Sequence, residues 1–97
     1  MKVVYTDAAL RDLDGILKSI ASDYPGILEL FEKRLRAVES RIGQWPESAQ
    51  EVEQRPGTRA VPLIRYPYKV FYQITPKAVE ILHIRHAARQ DPWEGKN

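Results

Sequence analysis

TRAVPLIRYPYKVFYQITPKAVEILHIRHAARQDPW, residues 58–93, decides the architecture. It reads as three short strands joined by tight turns. Arg59 to Ile64 is the first. Its Pro62 lacks the N–H a ladder needs, which predicts an edge or a bulge there. In the second, Tyr68, Val70, Tyr72 and Ile74 alternate with Lys69, Phe71 and Gln73, predicting a core face and a half-wet face. Thr75-Pro76-Lys77 is a turn. Val79 to Arg85 returns as the third strand, with Leu82 and Ile84 expected on one side and Ile81, His83 and Arg85 on the other. The stretch is also strongly basic. From Arg55 to Gln90 there are seven Lys/Arg and one acid, while the whole chain carries a net charge of only +2. Such asymmetry marks either a surface that meets something anionic or a wet sheet protected by charge.

Upstream of this stretch the pattern becomes helical. Lys2 to Tyr5 is a β-branched run that predicts a strand. Thr6 can cap a helix, and Asp7 suits its first turn. Leu10, Leu13, Leu17, Ile20 and Tyr24 then recur at helical spacing, with Ile16 and Ala21 widening the stripe and Asp12, Asp14, Lys18 and Asp23 outside it. Pro25 ends that helix and opens the next. In the second helix Leu28, Phe31, Leu35, Val38, Ile42 and Trp45 form the apolar stripe, with Gly43 expected just past the helix end. Glu47 to Gly57 is polar and reads as a loop, with Pro56-Gly57 as a type II turn. The order is βααβββ: an α+β domain spanning residues 1–97, its helical hairpin packed on one face of a mostly antiparallel four-stranded sheet. No helix is left for the other face, which should carry Lys69, Phe71 and Gln73, with either His83 and Arg85 or their neighbours, and stay open to water or a partner.

Several chemistries are excluded. There is no cysteine, so there is no disulfide, thiolate metal site or Cys nucleophile. His83 and His86 sit three apart on a strand and face opposite ways, so no metal site is expected. No glycine-rich phosphate loop implies a nucleotide cofactor. No apolar run approaches the ~20 residues of a membrane span, and a cytoplasmic location is expected. Phosphoryl chemistry on RNA stays open, because Lys69, Arg85, His83 or His86, and Arg89 could hold a phosphate and move a proton. The alternative is that His86 is a satisfied strand-end residue and the arginines meet an acidic protein. The residues expected to contact a partner are Arg59, Arg65, Lys69, Phe71, His83, Arg85, Arg89 and Trp93.

The opening VVYTDAALRDLDGI, the hairpin ending in IGQWP, the segment RAVPLIRYPYKVFYQI and the closing VEILHIRHAARQDPW together resemble the RelE/ParE superfamily of type II toxin–antitoxin toxins. The last two are the most specific, and the ending His-x-x-Arg-x-Asp is typical of the ParE side. The resemblance implies a small toxin inactive when bound to its cognate antitoxin. RelE-like members cleave mRNA in the ribosomal A site, whereas ParE-like members inhibit DNA gyrase and are not nucleases. In the RelE-like branch a basic residue at the position of Lys69 holds the substrate phosphate, and a Tyr near the C-terminus often assists. No Tyr follows Tyr72 here, so the set for a nuclease, Lys69, Arg85, His86 and Arg89, is incomplete. The expectation is a gyrase inhibitor without cofactor. It would form a hetero-oligomer with a ParD-like antitoxin whose C-terminal segment is acidic, and reach operator DNA only through that antitoxin.

Overall fold

In the computed structural model, which describes residues 1–89 and 91–93, two helices lie on one face of a five-stranded mixed sheet. The elements are β1 (Val3–Tyr5), α1 (Asp7–Asp23), a 3₁₀ turn (Pro25–Ile27), α2 (Leu28–Gln44), β2 (Gln50–Val52), β3 (Arg55–Pro62), β4 (Tyr68–Ile74) and β5 (Val79–His86). The sheet order is β1-β5-β4-β3-β2, with β1 parallel to β5 and the other pairs antiparallel. The expected α+β fold is therefore present with one more strand than expected. The extra strand, β2, lies inside the stretch expected to be loop. It is short, polar and at the sheet edge, so its backbone bonds to β3 and not side-chain burial define it. The chain reverses before Pro56-Gly57, and Gly57 instead occupies a left-handed φ of 91° within β3. The register there jumps from Glu51↔Arg59 to Val52↔Arg55, so Gly57 supplies the backbone freedom an irregular pairing needs.

Burial follows the helical periodicity closely. Ala9, Ile20, Phe31, Leu35, Val38 and Ile42 meet Val61, Val70, Tyr72, Val79, Ile81 and Ile84 in one core. Each of these side chains contributes roughly 1.5–3 kcal/mol when fully buried, less for Ala9. Four members of the expected stripes fall outside the core. Tyr24, the C-cap residue of α1, is 69% exposed, and Ala21 is exposed in the last turn of that helix. Trp45 is the C-cap residue of α2 with non-helical dihedrals, so it leaves the stripe and is 66% exposed. Leu10 is 49% exposed, beyond the reach of the sheet. Gly43 lies within α2 and not past its end. It is buried, and a Cβ there would stand 3.0 Å from the Met1 carbonyl and 3.2 Å from Val3 Cγ2. Its missing side chain lets the N-terminal segment cross the helix closely.

Two features of β5 place the side chains discussed below. First, Phe71 pairs with His83 but Tyr72 pairs with Ile81, so Leu82 is an extra residue in β5. The bulge shifts the alternation, and Ile81 and Ile84, three apart, both reach the helix-covered core. The expected division of Leu82 and Ile84 from Ile81 is thus corrected. Second, β1 pairs only with Val79 to Ile81, so β5 has a free edge beyond that point. The α1 helix satisfies it. The Thr6 N–H donates to the Ile81 carbonyl at 3.0 Å, and the Thr6 hydroxyl lies 3.0 and 3.2 Å from the Ile81 and Leu82 carbonyls. The same hydroxyl caps α1, accepting from the Ala9 N–H at 3.2 Å.

Candidate functional site

The candidate side chains divide between two places. The first is the sheet face away from the helices. Lys69 and Phe71 of β4 lie on it, with Arg85 and His83 of β5 directly opposite them, and it is not open as expected: residues Asp91 to Trp93 fold back over it. The Lys69 ammonium pairs with Asp91 Oδ1 at 3.2 Å and stands 5.4 Å from the Phe71 ring centre. The Trp93 indole packs edge-on against Phe71 at 5.1 Å, and the Arg55 guanidinium lies 5.6 Å from the Trp93 ring. Phe71 is fully buried as a result. Aromatic and cation–π contacts of this geometry are each worth about 0.5–1.5 kcal/mol beyond burial. Further along, the Gln73 amide donates to Glu80 at 2.9 Å. The trio Lys69, Phe71 and Trp93 is thus brought together, with Arg55 and Asp91 as members the sequence reading did not single out.

The second place is the free edge of β5 where it passes α1. Asp12 was expected on the wet side of its helix, yet its carboxylate organises this edge. Its Oδ2 accepts from the Ile84 N–H at 3.1 Å, lies 3.0 Å from His83 Nδ1 and 3.8 Å from Arg85 Nε. It stands where the next strand's carbonyl would be. Beside it opens a cleft of about 480 Å³ between α1 and the end of β5, lined in part by Arg11, Ser19, Tyr68, Arg85, His86 and Arg89. His86 pairs opposite Tyr68 and packs edge-on against it at 5.5 Å, and Tyr68 in turn packs on Phe31 of α2. His86 therefore lies on the helix side of the sheet and Lys69, next to Tyr68 on β4, on the other. Arg85, His86 and Arg89 line this cleft; Arg85 pairs directly opposite Lys69 across β4 and β5 and reaches Asp12 at the strand edge. A sequence signal for the cleft did exist: Asp12, Gly15 and Ser19 recur at i, i+3 and i+7, a small polar stripe beside the apolar one.

The other candidate cations are elsewhere. Arg59 donates from Nη1 to the Ala49 carbonyl at 2.6 Å and to the Glu47 carbonyl at 3.3 Å, and pairs with Glu51 at 3.5 Å. It fastens the segment between α2 and β2, as does the Tyr72 hydroxyl, which donates to the Pro46 carbonyl at 2.6 Å. Arg65 has a φ of 78° in the loop before β4 and lines a shallow groove with Leu30, Lys33 and Arg34 of α2. Neither arginine joins Lys69. Among the described residues no group of three His, Asp or Glu side chains could hold a metal ion. No helix of the described residues is long and apolar enough to cross a membrane.

This arrangement corresponds to a known family. The model for the ParE toxin of type II toxin–antitoxin systems, parDE, matches residues 3–91. The chain belongs to the ParE toxin family. Solved structures agree in fold. The chromosomal ParDE toxin–antitoxin system from P. aeruginosa aligns with a TM-score of 0.76 at 23% identity, covering 89% of this chain and 95% of that one. The isolated E. coli RelE toxin aligns with a TM-score of 0.57 at 17% identity over 93% of this chain and 87% of its own. The intact E. coli RelBE toxin–antitoxin complex aligns with a TM-score of 0.57 at 18% identity over 91% of this chain and 98% of that chain. No curated protein sequence matches significantly. A ParE-type toxin of a RelE/ParE-like fold is thus the shared ground.

Proposed function

We propose that this ParE-type toxin acts by binding DNA gyrase, not by cutting RNA, and that a ParD-like antitoxin with an acidic segment holds it inactive. The observation that carries this reading is that His86 lies on the sheet face opposite Lys69. Phosphodiester cleavage needs an acid or base within hydrogen-bond reach of the phosphate that the cation holds. Lys69 is committed to Asp91 and Phe71 on one face. His86 faces the other side, and its Nδ1 accepts from the Ala88 N–H at 3.1 Å. Lys69 and Arg85, opposite each other on β4 and β5, therefore do not share a face with His86, which speaks against the ribosome-dependent endonuclease. Binding an inhibited enzyme needs no such convergence, only buried anchors with charged surroundings.

The antitoxin is supported by the origin of the similar folds, two of which come from a ParDE system and a RelBE complex. The aromatic pair Phe71–Trp93, flanked by Arg55 and Lys69, suits an acidic segment with apolar residues interleaved. Expression without antitoxin tests the reading. Filamentation with DNA-damage signalling is expected. Rapid translation arrest with mRNA cut in the A-site codon, lost in His86→Ala, would contradict it.

A further inference from the structure

The loop between β3 and β4 forms a groove with one flank of α2. Leu30, Lys33, Arg34 and Ala37 recur at i, i+3, i+4 and i+7, a second stripe beside the one that enters the core. With Arg65 and Tyr66 of the loop they enclose about 280 Å³. The loop is stiff. Pro62 and Pro67 flank it, the Leu63 N–H donates to the Tyr68 carbonyl at 2.9 Å, and the Tyr66 ring packs edge-on against Phe31 at 5.6 Å. Arg65 is held at a φ of 78°, a left-handed conformation that a residue other than glycine keeps only where its surroundings impose it. Leu30 is 57% exposed, and Ile64, next to Arg65, is 60% exposed. Among the described residues no acid lines the groove, and Lys33, Arg34 and Arg65 make no ion pair or side-chain hydrogen bond.

We infer that this groove is where the toxin grips its target, through an acidic segment of gyrase that carries an apolar side chain. The inference rests on the gyrase reading above and adds the surface that reading needs. Arg34, Arg65 and Tyr66 are of the residue types that most often carry binding energy at protein interfaces, and exposed aliphatic side chains beside such anchors exclude water on docking. Three cations with no acid among them select carboxylates and speed the encounter. The walls are already in place, so docking costs little conformational freedom. The Lys69 face differs. Its Phe71 is buried under Trp93, and Lys69 and Arg85 are paired with acids of this chain. A nucleic-acid backbone would use the cations of the groove and leave Leu30 and Ile64 in water, so a protein segment is the better complement.

The test is surface plasmon resonance of the full chain on purified, DNA-free gyrase across a salt series. Binding by the parent, with association slowing as salt rises, is expected. Leu30→Ser with Arg65→Asn should weaken it at least about tenfold, since an apolar side chain and an arginine anchor are lost together. Asparagine tolerates a positive φ, so the loop keeps its shape. Both side chains are exposed, so the urea midpoint should not move. Lys33→Glu should chiefly lower the association rate. Lys77→Glu, the same charge change in the exposed turn at the other end of β4, should leave binding as it is. A parent that binds gyrase and a double variant that binds equally well would overturn the inference and leave the gyrase reading standing. A parent that does not bind gyrase would overturn both. Weakening by Lys77→Glu as large as that by Lys33→Glu, or loss of antitoxin binding in the double variant while gyrase binding is kept, would also overturn the inference, the first as unspecific charge and the second by giving the groove to the antitoxin.

Discussion

Replacing Asp12 by alanine measures how far one side chain completes the sheet. Its Oδ2 is the acceptor for the Ile84 N–H at 3.1 Å, on a part of β5 with no further strand beside it. Removing it leaves a backbone donor without its partner, which costs about 1–3 kcal/mol. The pairs with His83 at 3.0 Å and Arg85 at 3.8 Å are lost too. These side chains are 21–29% exposed, so each pair is worth about 0–1 kcal/mol. The neighbouring cleft admits water that can meet the freed N–H, which favours the lower part of the range. Asp12→Ala should therefore cost about 2–3 kcal/mol. For a domain of this size each kcal/mol corresponds to roughly 4–8 °C in Tm. Asp12→Asn keeps an acceptor and loses only charge, so it should cost about 1 kcal/mol. Urea titrations of both variants at pH 7, with m compared to the parent, read these values. A loss under about 0.5 kcal/mol for Asp12→Ala, the usual surface range, would refute the claim that α1 supplies the missing edge partner.

Leu35, 5% exposed in the middle of the α2 stripe, should lose about 2–5 kcal/mol on truncation to alanine in the same titration. Phe71→Ala should cost about 3–5 kcal/mol although Phe71 lies on the face opposite the helices, and Trp93 fluorescence should become more accessible to acrylamide. Tyr5 donates to the Glu39 carboxylate, and burial, the hydrogen bond and that carboxylate's charge all push its hydroxyl well above the usual tyrosine range. The folded state thus holds this proton more tightly than the unfolded chain. Its contribution is complete below a pH of about 10 and declines as pH rises above it, by up to about 1.4 kcal/mol per unit. Tyr5→Phe should flatten that alkaline decline in stability-versus-pH curves, and an unchanged slope would contradict it.

The α+β architecture was legible because its main signals are local. The Phe31, Leu35, Val38 and Ile42 stripe and the Tyr68, Val70 and Tyr72 alternation each follow from the period of one element. The departures have tertiary causes. β2 carries no apolar pattern, so only its pairing with β3 reveals it. The bulge at Leu82 reassigns Ile81 to the core, and nothing in the local sequence marks the register at which β5 meets β4. Phe71 was placed on the correct face, but its full burial depends on Trp93, more than twenty positions away in the chain. The basic stretch is lopsided, yet its cations do not all share a surface. Arg59 fastens a loop, Lys69 and Arg85 stand opposite each other on β4 and β5 but pair with Asp91 and Asp12, and Arg89 lines the cleft beside α1. A charge count cannot separate these, since strand alternation and the bulge decide which way each points.

The central claim is a toxin that works by binding, and relaxed-plasmid supercoiling by purified DNA gyrase tests it most directly. The purified chain should inhibit supercoiling in proportion to its concentration, and His86→Ala should inhibit as well as the parent, since inhibition by binding needs no acid or base from His86, which packs on Tyr68. Gyrase that supercoils at full rate in the presence of excess folded protein would contradict the account.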